Sequence, residues 1–218
     1  MCHLIVVSVL SYEKKLLALE NGKKNLIFFP FYLFIRNFAK ISFAMDYEQL
    51  VAARRSHRTF EKGELEPAQV QTILRAALLA PTSRNNRSWQ FVVVDNSCDL
   101  DKLSDVKEHG AEFVRNASLA VVVVGNPDTN DCWVEDGSIA AFSMQLQAED
   151  MGLASCWVQV RGRRLSDGTP AGEVVRGILD LPPEMETLCI IAVGRKAMAL
   201  KPHSDDTLKW ENVHLEKY

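Results

Sequence analysis

Arg54-Arg55-Ser56-His57-Arg58-Thr59 sets three guanidinium groups and two hydroxyls within six residues, directly behind the short amphipathic stretch Asp46 to Val51. A guanidinium fork matches phosphate oxygens bidentately, and small hydroxyls reach the same oxygens or a polyol. Such a cluster at a helix end suits a fixed anionic ligand. The plainer alternative is a solvated basic helix end that compensates the helix dipole. A second stretch, Ala80 to Gln90, reads Ala-Pro-Thr-Ser-Arg-Asn-Asn-Arg-Ser-Trp-Gln and leads from a helical pattern into a strand. A third reads Gly152-Leu153-Ala154-Ser155-Cys156-Trp157-Val158-Gln159.

The elements that must position these stretches alternate between helices and apolar strands from Met45 onward. Pro67 suits a first helical position, and Val70, Ile73, Leu74, Ala77 and Leu78 share one helical face before Pro81 breaks it. Trp89 to Val94 is β-branched and aromatic, the pattern of a strand entering the core. Asp99 to Lys107 reads as a helix with Leu100 and Leu103 inward. Leu119 to Val124 is a continuous apolar strand, as expected of a sheet covered on both faces. Trp133 to Met151 is the longest helical pattern, apolar on more than one side and ended by Gly152. Ala154 to Val160 reads as a strand, Gly172 to Leu181 as a helix stopped by Pro182-Pro183, and Thr187 to Val193 as a last strand. The order α-α-β-α-β-α-β-α-β, with a polar tail from Lys196, is that of an α+β sandwich.

A chain of 218 residues with a formal net charge of −3 has room for one sizeable core and lacks the basic footprint of a general nucleic-acid binder. Its five cysteines are odd in number, widely spaced and without a Cys-x-x-Cys. They argue against a disulfide framework or a zinc site and for a reducing, cytoplasmic compartment. No Gly-x-Gly-x-x-Gly or Walker-type loop occurs, so a Rossmann or P-loop nucleotide site has no support. Residues 1–44 do not match the rest. Their apolar run, Leu26 to Ile35, carries Pro30 and is about half the 20 residues that a membrane span needs. A peripheral anchor, a packing arm and an over-extended translation start are the three readings of this extension. The last is favoured, with residues 45–218 as the working domain.

Taken together, the three stretches resemble the FMN-dependent nitroreductase family. That family opens with Arg-Arg-Ser-x-Arg, continues with Ala-Pro-Ser/Thr-x-x-Asn-x-x-x-Trp, and carries Gly-Leu-x-x-Cys-Trp near the isoalloxazine ring. The resemblance covers about Met45 to the end. It implies an α-β-α sandwich around a central mixed β-sheet, dimeric, with C-terminal tails exchanged between subunits. It implies FMN as cofactor, its phosphate and ribityl chain against Arg54, Arg55 and Ser56, with Arg58 nearer the N1/O2 side of the ring. A fixed cation there stabilises the negative charge that reduction places at N1/O2. His57 turns away, as a solvent-facing or packing residue or as a ligand.

Pro81, Thr82, Ser83 and Asn85 would line the flavin from the partner chain, although Pro-Thr-Ser is also an ordinary helix stop and turn. Trp157, Val158 and Gln159 would pass beside the ring with backbone groups near N5. Cys156 reads as a small buried hydrophobe. Many members carry Gly-Tyr-Pro or Gly-His-Pro where this chain has Gly194-Arg195-Lys196. The late phosphate-binding cation is therefore Arg195 or Lys201, with Lys201 preferred.

The function implied is an oxidoreductase in which NADH or NADPH reduces FMN and then leaves. A nitroaromatic, quinone or similar electron-poor small molecule takes its place in a ping-pong cycle. No side chain stands out as an obligatory general acid. Reductive dehalogenation on the same fold, and a non-catalytic flavin-binding or redox-sensing module, are the alternatives. No nucleic-acid or membrane partner is expected, and no metal.

Overall fold

In a computed structural model the structure describes residues 45–218; the expectations for residues 1–44 lie outside the described residues. Helix α1 (Tyr47–Ala53) is capped by Asp46, whose carboxylate accepts from the Gln49 N–H at 2.8 Å. Beyond the guanidinium run comes β1 (Phe60–Glu61), a two-residue strand without a sequence signal. Helix α2 (Pro67–Leu78) starts at the expected proline, and the Gln69 side chain accepts from the Glu66 N–H at 3.0 Å. Next come β2 (Gln90–Val94), α3 (Ser97–Ser104) capped by Asn96, a 3₁₀ turn (Glu112–Asn116), and β3 (Leu119–Gly125). Helix α4 (Trp133–Asp150) is the longest, with 18 residues. Gly152 follows it at φ 71°, a left-handed conformation that glycine adopts without strain. Then come β4 (Leu153–Gln159), α5 (Ala171–Leu179) and β5 (Glu186–Lys196).

Strand β5 lies in the middle of the sheet. It pairs with β4 along one edge; its other edge takes β3 and then, at Arg195 and Lys196, β1, while β2 lies outside β3. All four ladders are antiparallel, and the mixed character of the sheet comes from one parallel bridge, Ser56 to Ser155. Every residue of β3 is buried, as its unbroken apolar run requires. Alternation along the strand sends Ala120, Val122 and Val124 into a core with Leu103 of α3, Phe113 and Val175 of α5. Leu119, Val121 and Val123 meet Ile73 and Ala77 of α2 and Ala140 and Met144 of α4 on the opposite face. The result is the expected α-β-α sandwich.

The last strand runs three residues beyond its predicted end, to Lys196, because β1 and the start of β4 pair with Arg195. Gly194 is needed there: a Cβ would lie 2.8 Å from the Phe60 ring. Among the described residues no helix is long and apolar enough to cross a membrane.

Candidate active site

Helix α1 ends where Arg54 turns to an extended conformation, its N–H still bonded to the Leu50 carbonyl at 3.0 Å. The chain then runs beside β4: Ser56 bridges Ser155 in parallel, and the His57 N–H donates to the Ser155 carbonyl at 3.0 Å. Extended backbone sends alternate side chains to opposite faces. The electrostatic neighbours agree. Cys156 is surrounded by Arg58, Lys107, Arg54 and the Ser56 hydroxyl, whereas His57 faces Lys196, Glu149 and Arg55. Burial nevertheless pushes the Cys156 thiol up, against the pull of those cations, so it is the inert apolar residue expected.

His57 is only 3% exposed, a packing residue rather than a solvent-facing one, and its Nδ1 has no partner among the described residues. Burial first, then Lys196, holds its pKa below the ordinary value; Glu149 opposes this and Arg55 adds to it. Lys196 Nζ meanwhile donates to the buried Glu149 Oε1 at 2.6 Å.

The Ser155 carbonyl reaches outward to His57, so by strand alternation the N–H and C=O groups of Trp157 and Gln159 also point out of the sheet's β4 edge. The Trp157 indole donates to Gln159 Oε1 at 2.9 Å, fixing both side chains on that edge. Val158 points the other way and is fully buried. It enters the site only through its backbone, because its side chain belongs to the core beneath β4.

Pro81, Thr82, Ser83 and Asn85 form a strained loop beside the other end of α4. Arg84, Asn85 and Arg87 all take positive φ, between 51° and 55°, which non-glycine residues rarely adopt. What holds the loop is Asp136 in the first turn of α4. Its carboxylate accepts from the Ser83 N–H at 2.8 Å and from Asn130 Nδ2 at 2.9 Å. The Thr82 hydroxyl accepts from the Arg87 N–H at 3.1 Å, and Asn85 Oδ1 from Arg87 Nε at 2.9 Å. Asp136 and Glu149, the α4 residues facing this loop and the guanidinium run, are ~20 Å apart along the helix at about 1.5 Å per residue. One chain therefore does not bring the first two motifs together, although it does join the first to the third.

Of the two candidate late cations, Arg195 Nη2 donates to the Glu64 carbonyl at 3.0 Å, away from the run. The Lys201 carbonyl accepts from Arg55 Nη1, and the His203 N–H donates to the Ala52 carbonyl at 2.9 Å. Residues 201–203 thus lie against the end of α1, with the Lys201 side chain exposed.

The Nitroreductase family model matches residues 51–118 and 101–195. The chain belongs to the nitroreductase family. An FMN-dependent nitroreductase from Clostridium difficile R20291 is similar in structure, with a TM-score of 0.76 and 39% identity over 78% of this chain and 98% of that one. A protein of Methanothermobacter thermautotrophicus is 30% identical over 177 residues, 80% of this chain and 88% of its own. One of Archaeoglobus fulgidus is 29% identical over 175 residues, 78% and 97% of the two chains. Both carry the name "Putative NADH dehydrogenase/NAD(P)H nitroreductase". The family, the α+β sandwich and the oxidoreductase class expected from the three motifs are thereby borne out.

Four residues around this nitroreductase site escaped the sequence reading: Lys107, Asp136, Glu149 and Lys196 as a partner of Glu149. Only Asp136 had a signal, an acid in the first turn of a helix. The rest are charges whose neighbours come from remote segments.

Proposed function

We propose that the chain is an FMN-dependent oxidoreductase that takes electrons from NADH or NADPH and delivers them to nitroaromatics, quinones or similar electron-poor small molecules, with ping-pong kinetics. The observation that carries this reading is the bridge between Ser56 and Ser155. It lays a row of guanidinium groups along the same sheet edge from which the Trp157 and Gln159 amides look out. Phosphate and ribityl chemistry fits the first group, and a flat heterocycle needing a hydrogen-bond donor fits the second.

When bound, FMN supplies a two-electron carrier that one substrate reduces and the next oxidises. Arg54 and Ser56, on one face of the run, would hold its phosphate and ribityl chain, while Arg55, expected to join them, turns to the other face and holds the Lys201 carbonyl, which keeps Lys201 close by on the tail. Arg58 holds positive charge towards the electron-rich edge of the ring. Trp157, Val158 and Gln159 supply backbone groups from β4.

The rest of the site comes from a second copy. Ile139 and Phe142 on α4 are 43% and 40% exposed and share one helical face, and Trp210, Val213 and Leu215 of the tail lie open. Two such α4 helices packed antiparallel set the Pro81, Thr82, Ser83 and Asn85 loop of each chain opposite the guanidinium run of the other. Free thiols at Cys98, Cys132, Cys156 and Cys189 fit a reducing, cytoplasmic setting.

The test is the absorbance spectrum of the purified protein, the mass of its released chromophore and rapid-mixing reduction by each nicotinamide. Yellow protein releasing FMN and reduced by at least one nicotinamide is expected. Colourless protein that takes up no added FMN sinks the proposal, and flavin that neither nicotinamide reduces favours a non-catalytic module. Arg54→Ala and Arg58→Ala are each expected to weaken FMN binding about tenfold or more, the typical worth of a hydrogen bond to a charged group.

A further inference from the structure

Just past the edge from which the Trp157 and Gln159 amides look out, β4 ends in a bulge. The N–H groups of Val160 and Arg161 both donate to the Leu188 carbonyl, at 3.3 and 3.0 Å. Two consecutive residues on one acceptor bend the chain and re-aim the side chain that follows. The Arg163 N–H closes a turn onto the Val160 carbonyl at 2.9 Å, with Gly162 at φ 73°. Gln159 fixes the same point from its side chain. Its Nε2 donates to the Arg161 carbonyl at 2.8 Å, while its Oε1 takes the Trp157 indole N–H at 2.9 Å. Hydrogen bonds thus join Trp157, Gln159 and Arg161 into one row.

The Arg161 guanidinium lies over the Trp133 ring, 5.8 Å from its centroid. That ring is buried in the first turn of α4 and lies against Gly125, where a Cβ would come within 2.9 Å of it. A ring face attracts a cation but offers it no lone pair. The contact therefore orients Arg161, which is exposed, while its N–H donors remain available to an anion. Ordering the side chain beforehand lowers what a ligand must supply on binding.

FMN's own phosphate is the wrong anion for this position. The guanidinium run meets β4 at Ser155, ~20 Å from Arg161 at about 3.3 Å per strand residue. Arg161 instead follows Gln159 by ~7 Å. That spacing suits an acid group on a single substituted ring better than the more distant phosphates of a nicotinamide nucleotide.

We propose that Arg161, held over Trp133, selects electron-poor aromatic acceptors that carry a carboxylate. The proposal rests on the flavin reading and adds a substrate class to it. The acceptor ring lies beside the Trp157–Gln159 edge, and its carboxylate takes the guanidinium fork bidentately. Neutral acceptors lack that contact, so the preference resides in binding and is read in KM rather than kcat.

The experiment uses the FMN holoprotein. Calorimetry without nicotinamide measures binding of para-nitrobenzoate and of the neutral, similarly shaped para-nitrobenzamide. Steady-state assays with saturating nicotinamide then give kcat and KM for both. Arg161→Gln should weaken para-nitrobenzoate binding about tenfold and raise its KM alike, with kcat and the amide unchanged. Arg161→Lys, which keeps the charge without the fork, should recover part of the loss. Arg161→Glu should turn the preference towards the cationic para-nitrobenzylamine. A Gln variant that binds para-nitrobenzoate as tightly as wild type overturns the proposal and leaves the flavin reading standing. Equal losses for acid and amide also overturn it, because they report a structural role, and so does a wild type that binds neither compound. Wild-type protein that takes up no FMN overturns both readings.

Discussion

His57 shows how one side chain can link the site to the stability of the fold. Its neutral ring lies buried between Lys196, Arg55 and Glu149, and its folded pKa lies below the ordinary 6.5. Between those two values the unfolded chain holds more protons than the folded one, so stability rises with pH across that window. The contribution is complete above about 6.5 and declines as acid carries the pH through it. Urea midpoints measured from pH 5 to 7.5 are expected to climb with pH, and His57→Gln should flatten part of that climb. An identical slope in the variant would show that other groups cause it. Because Lys196 is paired with Glu149 at 2.6 Å, the pair rather than either charge alone determines what His57 experiences.

Helix α4 connects the motifs at the scale of elements. Its first turn anchors the loop from Pro81 to Arg87 through Asp136, and its last faces His57 through Glu149. The loop's three positive-φ residues cost conformational energy that the Asp136 carboxylate and the flanking packing offset. Asp136→Ala leaves the Ser83 N–H without its acceptor and Asn130 with one fewer. It should cost about 1–3 kcal/mol of unfolding free energy. Hydrogen exchange at Ser83 should quicken in that variant while exchange in β3 and β5 keeps its protection against local opening. Unchanged Ser83 exchange would mean that the loop is held by something else.

For the whole molecule, the separation along α4 is what supports the proposal that the active site is shared between two chains. The apolar face of Ile139 and Phe142 is what a second copy would cover. Ile139→Glu with Phe142→Glu places like charges on such a contact, and sedimentation should then find a monomer with flavin binding reduced along with dimerisation. A wild-type chain that sediments only as a monomer, or a monomeric variant that binds flavin as tightly as wild type, would rule out a shared site.

The sequence alone determined the element order, because apolar periodicity and the Pro and Gly breakers are local signals. Val121 and Met144 declare their burial in the same way. It also identified the family and the guanidinium run, since three motifs in order need no knowledge of contacts. The two-residue strand β1 and the last residues of β5 were not legible, because Phe60 and Lys196 become strand only by pairing with each other. Lys107, Glu149 and Lys196 were equally silent. A charged side chain far from its neighbours in sequence carries no periodic signal, and its role depends on which backbone hydrogen bonds and ring contacts bring the segments together. The outward direction of the Trp157 and Gln159 amides likewise follows from the register of β4 against β5 and Ser56, which only the tertiary structure decides.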